Sequence, residues 1–418
     1  MLSIYRILIN IIFILSPIIL IFRLIKKKED TKRFKEKLCF FSKKRGDGRL
    51  IWFHGASVGE IKSVIPIIEK LEKNKKIAKI LLTSNTLSSS RVFQQFKFKK
   101  TIHQFFPIDT NFHSRKFLNY WKPSAVFFID SEVWPNMYSN LEIKKIPINL
   151  LNGRITKRTY SKWNSIPNFS KSIFGKFDLC LSSSNESKKF LTKLGVKKVK
   201  FLGNLKFSET ESKQIKINSN LKKCFLSRKV WCASSTHPTE EIICGKIHNE
   251  LKKKYKNLLT IIIPRHVERV DAISAELNNI NLKIQTHESN VKKLNSNTDI
   301  YIVDTYGETK SFYNFCKIVF LGGSLINHGG QNPLEAARFG CNILHGPNVR
   351  NFNEIYKFLK KNDMSIKVSN YYKMMSTLNQ LFQKKNNTKK IKEKINIIGN
   401  NILKKTYKEI DLLLKNEI

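Results

Sequence analysis

The sequence predicts an α/β protein built from two doubly wound, parallel-sheet domains. Three observations lead there. Short apolar runs, each ending in a polar or glycine-bearing loop and followed by helical spacing, recur in two series along the chain. A polar stretch without periodicity, 208–223, separates the two series. The segment 318–353 then holds one strand, glycine loop, helix, strand unit in full.

That segment opens with Ile318-Val319-Phe320-Leu321, long enough for one buried strand. Gly322 and Gly323 end it, Gly329 and Gly330 follow, and Asn332-Pro333 starts an amphipathic helix. Proline suits the first helical turn, where its missing N–H costs nothing. A glycine loop feeding a helix N-terminus is expected to leave backbone N–H groups free for an anion. Glu335, one turn in, is placed to accept hydrogen bonds from sugar hydroxyls, while Leu334, Ala336 and Ala337 supply a packing face. Cys341 to Leu344 is the next strand. An ordinary corner with turn glycines explains one glycine pair; two pairs and an acid fit a nucleotide site better.

In the first series, Leu50 to Phe53 is a strand, followed by His54-Gly55-Ala56-Ser57-Val58-Gly59-Glu60 and a helix with apolar residues at Ile61, Val64, Ile65, Ile68 and Leu71. Glu60 sits at the helix start, where the dipole favours its ionised form. On the residues alone, a plain helix-terminal acid is the better reading and a general base on a strand–helix loop the alternative. Lys79 to Thr83 is a strand, and Asp109 is expected to cap a helix. Ala125 to Ile129 is a buried strand ending at Asp130-Ser131-Glu132-Val133-Trp134-Pro135-Asn136. Two carboxylates and a Trp-Pro turn beyond a strand's C-terminal end make a site candidate; two helix caps are the simpler alternative. Ile146 to Asn149, Leu179 to Ser182 and Phe201-Leu202 follow as strands.

The second series holds strands at Lys229 to Ala233, Leu258 to Ile263 and Ile300 to Val303, ahead of the unit at 318. The stretch from Tyr372 is lysine-rich and helical and is expected to pack back on the first domain.

Composition narrows the function classes. With 41% hydrophobic and 11% aromatic residues the chain can form real cores. A net charge of +44 points to anionic partners, although Lys, Ile and Asn are abundant throughout, as biased base composition would produce. Basic residues lack the aromatic interleaving of a stacking platform, so no nucleic-acid partner is expected. Seven scattered cysteines without a C-x-x-C pair argue for reduced thiols, and no metal-ligand spacing is present. At the N-terminus, Ile7 to Phe22 is apolar apart from Asn10 and Ser16, and Leu24 and Ile25 extend it past Arg23. That approaches the minimum for a spanning helix. The basic residues that follow place the rest of the chain on the cytoplasmic side and suit an anionic leaflet.

Taken together, the loops resemble those of the bacterial 3-deoxy-D-manno-octulosonic acid (Kdo) transferases of lipopolysaccharide assembly. The resemblance runs to about Ile355 and rests on HGASVGE (54–60), IDSEVWPN (129–136), NGRIT (152–156), GNLKF (203–207), SSTHPTEE (234–241), IIIPRH (261–266), DTYGE (304–308) and GGSLINHGGQNPLE (322–335). Eight motifs in order are specific where one is not. The resemblance implies a GT-B glycosyltransferase fold: two Rossmann-like domains facing across a cleft, with an N-terminal membrane-anchor helix. It implies transfer of Kdo from CMP-Kdo to the lipid A precursor (lipid IVA) with inversion, no cofactor and no metal, at the cytoplasmic side of the inner membrane. The organisation it suggests is an anchor at 1–25, a basic linker at 26–48, an acceptor domain at 49–210, a linker at 211–223, a CMP-sugar domain at 224–395 and a C-terminal helix at 396–418.

Glu60 matches the family's general base, and Asp130 and Lys206 match positions credited with transition-state stabilisation. Pro264 and Arg265, Tyr306, Gly307 and Glu308, and Asn332, Pro333, Leu334 and Glu335 match the CMP site. Asp130 stands where the family usually has Glu, Gln331 where His is common, and Asn204 where Ser is. The helix at 61–75, with Ile61, Val64, Ile65 and Ile68 beside Lys62, Lys70 and Lys73, is expected to present an exposed face to the acceptor lipid. The alternatives are a transferase of the same fold using a UDP-sugar on a membrane lipid, and a non-catalytic membrane-tethered binder of anionic lipid or nucleic acid.

Overall fold

The structure, a computed structural model, describes residues 1–209, 217–287, 293–384 and 387–416. Residues 210–216 of the expected boundary lie outside the described residues. The chain divides into two compact units, 1–210 with 398–418, and 211–397.

The first unit holds a seven-stranded parallel sheet: β1 (Leu50–His54), β2 (Lys79–Ser84), β3 (Thr101–Phe105), β4 (Ala125–Ile129), β5 (Ile148–Gly153), β6 (Leu179–Ser182) and β7 (Val199–Phe201), in the order β3-β2-β1-β4-β5-β6-β7. β1 and β4 are buried along their whole length, as continuous apolar runs must be in a sheet covered on both faces. Trp52, Phe117, Phe128, Tyr138 and Phe174 share one core cluster. Strand order reverses between β1 and β4, which pair from Ile51↔Ala125 to His54↔Phe128. The loops leaving these two strands therefore open a crevice at the C-terminal edge of the sheet.

Three expectations change here and a fourth is refined. The helix Val58–Leu71 is not a lipid-facing surface: Ile61, Val64 and Ile68 are 0% exposed and Ile65 is 1% exposed. Pro66 and Ile67 are buried too, so the helix is apolar around most of its girth and lies sandwiched. Its end meets the C-terminal segment, where Lys70 Nζ stands 5.4 Å from the Tyr407 ring centroid. The stretch expected as a basic linker is folded onto the unit through the turn Phe34–Leu38, whose buried Glu36 accepts the Phe105 N–H (2.9 Å) and an Arg33 side-chain bond (2.8 Å). Asp109 caps a helix as expected, but not the one beside it. Thr110 caps Asn111–Trp121, while Asp109 receives the N–H groups of Asn136 and Met137, 3.0 and 2.8 Å away, at the start of Pro135–Ile143. The last helix begins at Thr388, well before 396, and residues 398–418 belong to the first unit. Gly399 lets that helix pass Phe207, whose carbonyl oxygen would be 2.3 Å from any Cβ there.

The N-terminal helix runs unbroken from Leu2 to Ile25 despite Pro17, and is long and apolar enough to cross a membrane by length and composition.

The second unit has its own seven-stranded parallel sheet: β8 (Lys229–Thr236), β9 (Leu258–Pro264), β10 (Ile284–His287), β11 (Ile300–Val303), β12 (Ile318–Leu321), β13 (Asn342–His345) and β14 (Ser365–Lys367), in the order β10-β11-β9-β8-β12-β13-β14. Trp231, Ile262, Phe320 and Leu344 anchor its core. Here the order turns at β8 and β12, which pair from Cys232↔Val319 to Ser234↔Leu321. The helix after Asn332 is short, Leu334–Arg338, with Pro333 at its cap.

Candidate active site

In the first unit the crevice between β1 and β4 gathers three carboxylates and one lysine. Ser57 caps the helix that follows β1, and Glu60 lies in its first turn. The Glu60 carboxylate accepts the Ala56 N–H on Oε2 (2.7 Å) and the Ser57 hydroxyl on Oε1 (2.8 Å). So far this is a capping arrangement, and the dipole should keep the acid ionised. Its surroundings reverse that expectation: burial first, then the charges of Glu132 and Asp130, push the Glu60 pKa up to about 7.

Asp130 ends β4 in a left-handed backbone conformation (φ 66°), which Asp tolerates better than most residues. The turn is fixed on both sides, with Asp130 N–H donating to the Leu151 carbonyl (2.9 Å) and Arg154 N–H donating to the Asp130 carbonyl (3.0 Å). Its side chain is one methylene shorter than the family's usual Glu, yet Asp130 Oδ2 still meets Lys206 Nζ at 3.2 Å. Two asparagines aim that lysine: Asn152 Oδ1 accepts the Leu205 N–H (2.9 Å) and Asn204 Oδ1 accepts the Lys206 N–H (2.9 Å). The NGRIT and GNLKF stretches thus act as one bracket. Asn204, standing where Ser is usual, supplies an accepting oxygen here.

Behind the carboxylates lies His54, fully buried, its Nδ1 2.8 Å from Thr83 Oγ1 and its Nε2 3.5 Å from Glu132 Oε2. Burial lowers its pKa, so the ring is neutral at pH 7 and serves as a fixed wall. Trp134 leans on it, with ring centroids 5.7 Å apart. Tyr138 pins the loop by donating to the Glu132 carbonyl (2.6 Å).

In the second unit the residues matched to a nucleotide site lie at the C-terminal edge of the sheet, at a strand end, on loops and in the first turn of a short helix. Pro264 and Arg265 end β9, where Arg265 N–H donates to the Thr236 carbonyl (3.0 Å) and the guanidinium is exposed. Tyr306, Gly307 and Glu308 follow β11. Tyr306 donates to Glu268 (2.9 Å), and Glu308 Oε2 is 2.6 Å from His287 Nε2. Asn332, Pro333, Leu334 and Glu335 follow β12, with Glu335 Oε1 3.6 Å from Lys310 Nζ. Asn332 Oδ1 accepts the Leu334 N–H (3.1 Å).

The glycine loop differs from expectation in one chemically decisive respect. Three of its N–H groups are not free for an external anion. Glu240, 0% exposed, receives those of Gly323 (2.7 Å), Ser324 (3.1 Å) and Leu325 (3.0 Å), and that of His237 (3.1 Å). Burial raises its pKa while the four N–H groups oppose the rise. The chain thus supplies its own acceptor to this cradle. Gly322 has no room for a side chain, since a Cβ would lie 2.4 Å from the Ser235 carbonyl oxygen, and Gly323 has φ 64°. Beyond the loop, the His237 ring lies tilted against His328 (centroids 4.2 Å apart) and edge-on to His266 (6.0 Å), and Gln331 Nε2 is 3.4 Å from His237 Nε2. Burial, then the neighbouring histidines and Arg265 and Arg269, lower the His237 pKa to about 4.

His54, Glu240, His237 and His287 join the site residues that the sequence motifs name individually. The first three lie inside motifs already read, and their signal was an ionisable side chain at a strand end or helix start. His287 sits on a short polar edge strand that offered no signal.

Comparison with known proteins bears on both units. The family profile described as 3-deoxy-D-manno-octulosonic-acid transferase (kdotransferase) matches residues 32–209. A 3-deoxy-D-manno-octulosonic acid transferase of Rickettsia bellii (strain RML369-C) is 32% identical over 393 residues, covering 91% of each chain. That of Rickettsia prowazekii (strain Madrid E) is 33% identical over 350 residues, 82% of this chain and 74% of its own. Among solved structures, UDP-GlcNAc 2-epimerase from Neisseria meningitidis, bound to UDP-GlcNAc, aligns with a TM-score of 0.58 at 15% identity, over 88% of this chain and 100% of its own. At that identity the likeness shows the fold, two parallel-sheet α/β domains of the GT-B kind. The sequence matches go further: this chain belongs to the 3-deoxy-D-manno-octulosonic acid (Kdo) transferases, glycosyltransferases of lipopolysaccharide synthesis.

Proposed function

We propose that the chain transfers Kdo from CMP-Kdo to the lipid A precursor lipid IVA, inverting the anomeric centre. The observation that carries the proposal is Glu60: a carboxylate with pKa about 7, fixed by two hydrogen bonds beside the Asp130–Lys206 pair. A general base works best when its pKa is near the operating pH. Glu60 takes the proton of the acceptor hydroxyl as the oxygen attacks the anomeric carbon. Lys206 offsets charge on the departing phosphate or the Kdo carboxylate, and Asp130 holds the lysine in place. The first unit is the acceptor unit. The second holds CMP through Pro264 and Arg265, Tyr306 to Glu308, and Asn332 to Glu335. Because Glu240 fills the glycine cradle, the donor phosphate is held outside it, where Arg265 and the histidine cluster stand. No metal or cofactor is required in this scheme. The enzyme works at the cytoplasmic side of the inner membrane with the N-terminal helix as anchor.

The test is transfer in detergent micelles, with CMP-Kdo generated in place and lipid IVA as acceptor, products resolved by mass. Mass growth by one or more Kdo units is expected. Product from a panel of UDP-sugars, and none from CMP-Kdo, would overturn the donor assignment. Lys206→Met is expected to lower kcat by roughly 10²–10³-fold with the KM for lipid IVA little changed, as loss of one preorganised charge does. A change in KM alone would deny it the transition-state role.

A further inference from the structure

We infer that the N-terminal helix lies in the plane of one membrane leaflet, half immersed, rather than crossing the bilayer. This rests on the anchor role proposed above and specifies its geometry.

The helix touches the first unit along its whole length. At its start, the Tyr5 hydroxyl donates to Asp109 Oδ2 (2.8 Å) and Arg6 Nε donates to Asn136 Oδ1 (3.0 Å). At its middle, the Phe13 ring lies 4.7 Å from that of His113, and Ser16 and Leu20 are buried. At its end, Arg23 Nε donates to Glu29, 3% exposed, which also receives Lys37 Nζ (2.7 Å). A helix of 24 residues is about 36 Å long, more than the roughly 30 Å of bilayer hydrocarbon. A spanning helix would place Tyr5 and Arg6 at the opposite membrane surface from Arg23. Both ends could not then bond to one water-facing domain.

The side-chain pattern agrees. Tyr5, Arg6, Phe13, Ser16, Leu20 and Arg23 fall within about 100° of the helix circumference, and these are the covered positions. The opposite side, including Ile4, Ile7, Ile11, Ile14, Ile18 and Ile25 together with Phe22, is exposed and apolar, from 49% at Ile11 to 73% at Ile14 and Ile25. Three of the helix's polar residues that reach the unit, Tyr5, Arg6 and Arg23, thus turn inward while the apolar side turns out. A helix sheathed in lipid has no use for such a division, whereas one lying in an interface requires it. The occupant of the exposed side is an anionic phospholipid leaflet: Lys26, Lys27, Lys28, Lys32 and Lys35 are all exposed beside the helix end. Phe112, 67% exposed and next to His113, extends the apolar surface.

The geometry also links leaflet and chemistry. Asp109 lies on the loop that leaves β3 and Asn136 in the first turn of the helix that follows β4, at the same sheet edge as Glu60 and Asp130. The start of the helix is therefore tied to the edge where the acceptor hydroxyl must arrive, and a lipid acceptor needs only to rise partway from its leaflet to react.

The test uses the full chain in vesicles of phosphatidylethanolamine and phosphatidylglycerol. Spin labels are placed one at a time at Ile4→Cys, Ile11→Cys, Ile18→Cys and Ile25→Cys in a Cys224→Ser background, the other six cysteines being buried. These positions share one helix face. Equal depth at all four, measured by oxygen against nickel-chelate accessibility, is expected. A protease site added before Met1 should stay cleavable from the side that exposes the catalytic units. Shallow values at Ile4 and Ile25 with deep ones at Ile11 and Ile18, and a shielded protease site, would overturn the in-plane geometry while leaving the anchor. No immersion at any position would overturn both.

Discussion

Glu60→Gln is expected to lower kcat by roughly 10²–10⁴-fold while leaving CMP binding intact, because glutamine keeps the hydrogen-bonding shape and cannot take a proton. The wild-type kcat/KM should rise with pH and level off above about 7, since the base acts as carboxylate and burial beside Glu132 has raised its pKa to about 7. The same residue should trade stability for activity. Its folded pKa lies above the ordinary value of 4.5, so the protonated form is favoured by the fold. That contribution is fully present below pH 4.5 and is lost as pH rises through about 7. Glu60→Gln should therefore raise stability at pH 8, on the order of 1–3 kcal/mol, with little change at pH 4. Thermal unfolding at the two pH values reads this directly. A variant equally stable at both, with wild-type turnover, would leave Glu60 as a helix cap and nothing more.

The second large effect is expected at Glu240. In Glu240→Ala four N–H groups lose their acceptor at once, and unpaired buried donors cost about 1–3 kcal/mol each before water enters. A total loss on the order of 3–5 kcal/mol is the expectation, as for removal of one partner from a buried charged cluster. CMP affinity should fall with it, because Asn332 to Glu335 follow directly on this loop. Sulfate offers a distinguishing control. Without the internal carboxylate the cradle becomes an anion site, so millimolar sulfate should restore part of the stability of Glu240→Ala and none to wild type. Denaturant titration with and without sulfate, together with calorimetry of CMP binding, measures all three. An alanine variant of unchanged stability and affinity would remove Glu240 from this role.

How far could these sites be read from the residues? The central strands could, because β1, β4 and β12 lie buried and show as apolar runs, and β8 carries one at Val230 to Ala233 ahead of its polar end. β10 and β14 could not: Ile284–His287 and Ser365–Lys367 are short edge strands, partly exposed, with no pattern to distinguish them from loop. The candidate residues were legible as motifs, and their places at two reversals of strand order follow from the topology. Their electrostatics were not legible. A helix-start acid ordinarily has a low pKa, and burial, joined by the charges of Glu132 and Asp130 from beyond the end of β4, reverses that for Glu60. Likewise the glycine loop looked open because its occupant, Glu240, comes from a segment some eighty residues earlier. The apolar face of Val58–Leu71 misled for a related reason. Amphipathic spacing says that a face is covered, but does not name what covers it.

The knot at Asp109 has a practical consequence for anyone wishing to work with a soluble form. Cutting away the first 25 residues looks harmless, since it removes a greasy tail and leaves both sheets whole. It would also strip Asp109 of the Tyr5 hydroxyl and Asn136 of Arg6, at the turn that leads from Asp130 into the next helix. A truncated enzyme should therefore turn over slowly even on a water-soluble, short-chain acceptor that needs no membrane, and the deficit would be misread as loss of lipid contact. Keeping the tail and replacing its outward isoleucines with polar residues would preserve the knot while removing the grease.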